Sequence, residues 1–508
     1  MSRNRPSKAR YDAVVIGGGH NGLVCAAYLA RAGRRVLVLE RREVLGGCAV
    51  TEEVWPGYRV SVASYLVSLL KDEIVRDLDL RRFGYFVYPK DPPFFTPFPD
   101  GRHLFLWQDE ARTVEEIARF SRRDAEAFPR YDEHLEHLAQ TMDAMLLGAA
   151  PEDVSALDEV LDCSAEEFLD RWFESDEIKV TLATDGVIGA NGGPRTKGTA
   201  YVLLHHCMGM AAGRRALWGY VRGGMGALSE AIAASARAAG AEIVTDAAVA
   251  RVLTRDGAAR GVVLENGDEI LADVVVSNLD PKATFLRLVE RSELPGDFVA
   301  AIDAYQCTGP SMKMNLALKG LPRFTAYPET PGPHHRATIH LCPSIDYVER
   351  AWEEARQGRP SHDPMIEIGI PTMYDATLAP AGHHIMSVFL QYTPYQLAQA
   401  TWDEVREPYA ERVIDVIEEY APNLREVLIA KQVLAPPDLE KRFGITGGNI
   451  FHGELIRQQL FSKRPVERWG QYGTPLAGLY LCGSGTHPGG GVMGASGHNA
   501  AAAILLRK

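Results

Sequence analysis

The 508-residue sequence lacks any uninterrupted apolar stretch of the roughly 18 to 20 residues that a membrane-spanning helix needs. Contact with a membrane surface stays open. Cysteines are few and far apart: Cys25, Cys48, Cys163, Cys207, Cys307, Cys342 and Cys482 are odd in number, and no two stand as CxxC. That spacing argues against a redox-active dithiol or a cysteine zinc site, both of which draw on neighbouring cysteines, and suits free thiols in a reducing compartment. A basic surplus is missing too. The 54 Lys and Arg face 66 Asp and Glu, a formal charge of -12, so the footprint of a nucleic-acid binder is absent. The first ten residues, MSRNRPSKAR, carry four basic groups. They have no apolar segment of a secretory signal and are short for a transit peptide, so they read as a disordered leader.

What is present is ordinary globular composition, 46% hydrophobic and 24% charged, with 47 glycines marking many tight backbone sites. A chain this long exceeds the size of one growing core, which predicts two interleaved or consecutive domains.

Residues 11–40, YDAVVIGGGHNGLVCAAYLARAGRRVLVLE, read as one βαβ unit: an apolar run, a glycine cluster, a helix closed by Gly33, and a second apolar run ending on Glu40. Gly17, Gly19 and Gly22 form GxGxxG, whose glycines serve the tight turn, the approach of a pyrophosphate and the packing of helix on strand. A glycine cluster by itself marks only a turn. Here it follows a predicted strand and opens a predicted helix, whose amides and dipole suit phosphate, and Glu40 stands where a ribose hydroxyl needs an acceptor. Gly46 and Gly47 form a second pair just past that acid. A plain NAD domain has no need of such a pair, whereas in flavoproteins it brings backbone to the FAD diphosphate; the plain alternative is a turn.

Residues 222–280 read as a glycine turn, an Ala-rich helix, a strand at 242–244 and a β-meander turned at Asp256-Gly257 and Asn266-Gly267. Residues 474–506, TPLAGLYLCGSGTHPGGGVMGASGHNAAAAILL, give a strand, Gly483-Ser484-Gly485, a glycine-rich turn and a closing helix. Two strand-to-glycine-to-helix junctions at opposite ends of the chain suit a long cofactor such as FAD.

The GxGxxG with Glu40, RGGMGAL, VVSNLDP and GLYLCGSGTHPGGGVMGASGHNAA together resemble the phytoene desaturase-related branch of FAD oxidoreductases. SAEEFLDRWFESDEIK, GTAYVLLHHCMGM and GITGGNIFHGEL carry a likeness to a narrower group within it. The resemblance covers nearly the whole chain. It implies an α/β fold in which a discontinuous Rossmann-like FAD-binding domain, residues 8–75, 222–290 and 470–508, is interleaved with an α+β substrate domain, 76–221 and 291–469. The expected FAD contacts are Gly17, Gly18, Gly19, Asn21 and Gly22 at the first junction, and Glu40, Arg41, Gly46 and Gly47 beyond the second strand. Val249 would meet the adenine, and Gly483, Ser484, Val492 and Met493 would serve the last junction. The resemblance also makes polyenes or other lipophilic molecules plausible substrates, and it admits cytoplasmic members in bacteria and mitochondrial ones in eukaryotes.

With FAD present the flavin carries the hydride or electrons, and the protein binds, orients and excludes water. His452, Glu454 and His487 are the candidates for proton transfer beside it, each equally readable as a structural hydrogen-bonding group. His205 and His206 are adjacent, point apart on a helix and have no third ligand at metal spacing, so no metal site is expected. PPFFTPFPDGRHLFLW, residues 92–107, reads as a buried edge hairpin of the substrate domain or as a lipophilic or membrane-facing entrance, and acidic stretches such as 164–177 read as solvated helix faces. Three functions fit: an FAD oxidoreductase acting on a small or lipophilic organic molecule, a carotenoid desaturase or ketolase, and a flavin-binding regulatory protein with little turnover. The oligomeric state is not legible.

Overall fold

The computed structural model describes residues 6–211 and 214–506, the side chains of Ala211 and Arg214 excepted. Among them two seven-stranded sheets dominate. In the first, Arg10–Ile16 pairs in parallel with Val36–Leu39 on one side and with Glu269–Ser277 on the other, and Val36–Leu39 pairs with Glu242–Val244. The βαβ unit read at residues 11–40 is therefore present. Glu269–Ser277 is long enough to serve three neighbours: its first residues continue into the antiparallel meander of Ala258–Leu264 and Val249–Arg255, and its last three pair with Leu479–Leu481.

Helix His20–Arg31 packs on this sheet and against helices Met225–Ala238 and Ala495–Leu506. The contact is close because the facing residues are small. A Cβ on Gly22 would lie 2.3 Å from the Gly17 carbonyl, and one on Gly497 would lie 2.1 Å from that of Asn21.

The second sheet runs in the order Leu428–Leu434, Ser311–Leu318, His384–Gln391, Met365–Gly369, Thr338–Leu341, Phe94–Pro97, His103–Leu106. Strand side chains alternate between faces. Met312, Met314, Leu316, Ile339, Leu341, Ile366, Ile368, Met386, Val388 and Leu390 pack with helix Trp402–Tyr420 into one core. By that same alternation Lys313, Asn315, Thr338, His340, Glu367 and Ser387 occupy the opposite face, and all six are buried.

The aromatic stretch 92–107 forms the edge hairpin of this sheet, with Phe95, Leu104 and Phe105 buried, while Phe94 lines the cavity between the two sheets. One expectation needs correction. The leader is not disordered throughout: Ser7 donates through its amide and hydroxyl to Glu242 at 2.7 and 2.6 Å, and Arg10 opens the first strand, while residues 1–5 lie outside those described. Residues 164–177 are amphipathic as read, with Glu167, Asp170, Glu174 and Asp176 exposed and Phe168, Leu169 and Phe173 buried. They divide between helices Ala165–Leu169 and Asp176–Val187, and the buried Asp124 carboxylate accepts the amides of Glu174 and Ser175 in the turn between them, both at 2.8 Å.

Candidate flavin site

A cavity of about 460 Å³ lies between the two sheets and takes lining residues from both. Its first end is the glycine junction. Glu40 accepts the Gly18 amide at 2.8 Å and the Arg42 amide at 2.9 Å, so its carboxylate is fixed by two backbone donors and still faces the cavity. The Gly46 amide donates to the Gly18 carbonyl at 2.8 Å, which draws the second glycine pair against the first. From the last junction, Ser484 accepts from the Asn21 amide nitrogen at 3.2 Å. Gly17, Gly19, Asn21, Glu40, Arg41, Gly46, Gly47, Val249, Ser484 and Val492 all line the cavity.

Gly18, Gly22, Gly483 and Met493 do not line it; they stand behind it. A Cβ on Gly18 would strike Leu45, and one on Gly483 would lie 2.7 Å from the Asn278 carbonyl, so both glycines serve packing. Met493 is in the core, where its carbonyl accepts the Lys71 amide at 3.2 Å.

The proton-transfer candidates separate in the same way. His452 lines the cavity in a left-handed backbone conformation, φ 58°, that a non-glycine residue adopts at a cost. It is held there by Asn449, whose side chain accepts the amides of Phe451 and Gly453 at 3.0 and 3.1 Å, and by Tyr305, which donates to the His452 carbonyl at 3.0 Å. Burial keeps its imidazole pKa below the ordinary value. Glu454 lies outside the cavity, accepting from Asn191 at 3.2 Å and the Thr308 amide at 3.4 Å. His487 also lies outside it, its Nε2 donating to the Met145 carbonyl at 2.7 Å. Both make hydrogen bonds to protein partners here, while His487 Nδ1 is buried with none. His205 and His206 do point apart: His205 bonds the Gly490 carbonyl at 3.0 Å, and His206 reaches the Asp185 carbonyl at 2.8 Å and lines the cavity. All seven cysteines are free thiols.

Sequence reading missed two groups of lining residues. At the junction, His20 and Asn278 join the glycines, and a Cβ on Gly19 would come within 2.7 Å of the Asn278 side-chain nitrogen. Asp280, two residues on, caps a short helix and accepts the Thr446 amide at 2.9 Å, pinning the GITGGN loop to the VVSNLDP turn. The second group is the polar face of the second sheet. Glu367 accepts from Tyr65 and sits 3.3 Å from His340 Nε2. Lys313 Nζ is filled by the Met314 carbonyl at 3.1 Å and by Asn315 and Ser387 at 2.7 Å each. Lys90 donates to Thr338, and Asp185 completes the set. Burial holds Lys313 down to about 7 and Lys90 to about 8; burial and then the Glu367 carboxylate push Asp185 up to about 7.

Within this cavity His20 Nε2, Asn21 Oδ1, Arg42 Nη1 and His452 Nδ1 are buried without a protein partner. Buried polar atoms are paired as a rule, so a concentration of unpaired ones beside a glycine cradle marks a polar ligand. The sequence pattern described as flavin containing amine oxidoreductase matches residues 22–505. The chain belongs to that family. It is similar to pyridine nucleotide-disulfide oxidoreductase domain-containing protein 2 of Rattus norvegicus, 47% identical with 97% of this chain and 93% of the rat protein covered. It is more distantly similar to the lycopene-forming phytoene desaturase of a Paracoccus species, 26% identical over 99% and 98% of the two chains. The solved structure of wild-type putrescine oxidase bound to putrescine shares the fold, with a TM-score of 0.64 at 16% identity over 98% of this chain and 99% of that one. The chain is an FAD-dependent oxidoreductase, and its fold is the Rossmann-like one with a second substrate-domain sheet. The donors, acceptors and glycines of the first end fit FAD.

Proposed function

We propose that the protein oxidises a small-to-medium organic molecule, largely apolar, in the single cavity shared by the two sheets. Residues 8–75, 222–290 and 470–508 form the cofactor unit in this reading, and 76–221 with 291–469 the substrate unit. The observation that carries it is the continuity of the cavity. Gly17, Gly19 and Glu40 face it from one sheet, and Met312, Lys313, Glu367 and Phe389 face it from the other. FAD, when bound, supplies the acceptor for a hydride or electrons. The chain's own residues do the rest. Glu40 and the glycine amides hold the nucleotide end, Ile188, Ile450, Phe389 and Phe451 exclude water, and His452 offers a neutral imidazole nitrogen to the cavity. The buried ammonium of Lys90 counts against a pure hydrocarbon polyene, because such a substrate would leave it without a charged partner.

The test is the anaerobic visible spectrum of the purified protein before and after NADPH or NADH. A flavin band that stays oxidised makes the organic molecule the electron donor, as this reading requires. Bleaching by nicotinamide shifts the reading to reductase or oxygenase chemistry, and a protein that takes up no FAD overturns it.

A further inference from the structure

Lys90 follows the short strand Val87–Pro89, and its amide donates to the Trp218 carbonyl at 3.0 Å, which fixes the backbone where the side chain enters the cavity wall. The side chain is 1% exposed. Its Nζ has one hydrogen-bond partner, the Thr338 hydroxyl, and lies 5.4 Å from the centre of the Phe94 ring. Among the described residues no carboxylate comes within 4.0 Å of it. An ammonium carries three N–H donors, so two of them have no protein acceptor at hydrogen-bond distance.

The other charged groups nearby differ. Lys313 is saturated by three acceptors. Glu367 is engaged by Tyr65 and His340. Asp185 lines the cavity too, and it and Glu367 favour the charged form of Lys90 through space without a direct bond to it. Lys90 thus keeps donor capacity on this side of the cavity that no protein carboxylate fills at bonding distance. The surroundings, Phe94, Ile188 and Phe389, are apolar.

We propose that Lys90, with Thr338, forms a carboxylate-binding subsite on the second-sheet side of the cavity, and that the ligand it takes is a molecule with an apolar body and a carboxylate head. This rests on reading the cavity as the place of flavin chemistry. A carboxylate fills the free donors with charge-assisted hydrogen bonds, the strong kind in a low-dielectric site.

The experiment is calorimetric titration of the flavin-loaded protein with octanoate, methyl octanoate and octylamine. Octanoate is expected to bind roughly tenfold tighter than the ester, and Lys90→Met to abolish that gap. Thr338→Val, which leaves the lysine in place, should narrow it. Tightest binding by octylamine, equal binding of acid and ester, binding of neither, or a gap that survives Lys90→Met overturns the subsite. If Lys90→Met does not fold, the wild-type ranking decides alone. A preparation that refuses FAD is a separate failure, that of the flavin reading itself.

Discussion

Arg464 donates through Nε and Nη2 to the Ser484 carbonyl, at 3.1 and 2.9 Å. The same guanidinium reaches the carbonyls of Phe451, Gly453, Glu454 and Gln459, and it is fully buried. One side chain thus ties the His452 loop to the last glycine junction. Arg464→Met strands those carbonyls and is expected to cost about 3 kcal/mol or more, read as a fall in the urea midpoint together with loss of bound flavin. Arg464→Lys should not restore it, since a lysine lacks the planar fork. An unchanged midpoint in Arg464→Met would show that the loop is held by other means.

Glu40→Gln keeps the shape of the side chain and removes its charge. The Gly18 and Arg42 amides then lose a carboxylate acceptor, and FAD affinity should drop by roughly tenfold, the value of one charge-assisted bond. Flavin fluorescence on dilution of the loaded protein measures this, with the melting temperature as the control for folding.

Gly22→Ala places a methyl group 2.3 Å from the Gly17 carbonyl, backbone that has nowhere to move because Gly17 donates to Leu39 at 2.8 Å. Helix and strand must separate. The expected result is a protein purified mainly without flavin, whereas Gly33→Ala, at a position with open space but positive φ, should keep its flavin and lose only a little stability.

Acid should destabilise the fold well before the carboxylates titrate. Burial holds His20, His205 and His334 down to about 3 and His487 to about 4, against an ordinary 6.5. Groups whose folded pKa is depressed contribute stability that is complete above 6.5 and is lost as pH falls toward the folded values, because the unfolded chain takes up the protons first. Asp185, raised to about 7, works in the opposite sense between 3.8 and 7. Four histidines outweigh one aspartate, so the urea midpoint at pH 5 should lie below that at pH 7. A higher midpoint at pH 5 would contradict the buried, neutral state of these rings.

The first sheet was readable because its signals are local. The glycine spacing, the acid after the second strand and the turns at Asp256-Gly257 and Asn266-Gly267 each depend on a few neighbouring residues, and the strand at Glu242–Val244 stands where its apolar pattern put it. The polar half of the cavity was not readable. In SMKMN, MIEIG and TIHL a polar residue alternates with apolar ones, which in isolation describes a strand with one face in water. Only the tertiary arrangement buries that second face, and no spacing within the sequence announces it. Gly18, Gly22, Gly483 and Met493 belong to the same motifs, and the structure packs them behind the cavity lining.

The long strand Glu269–Ser277 receives its last partner, Leu479–Leu481, from the far end of the chain. The Asn21 to Ser484 bond cannot form without that segment, so a chain truncated before Leu479 is expected to carry no flavin.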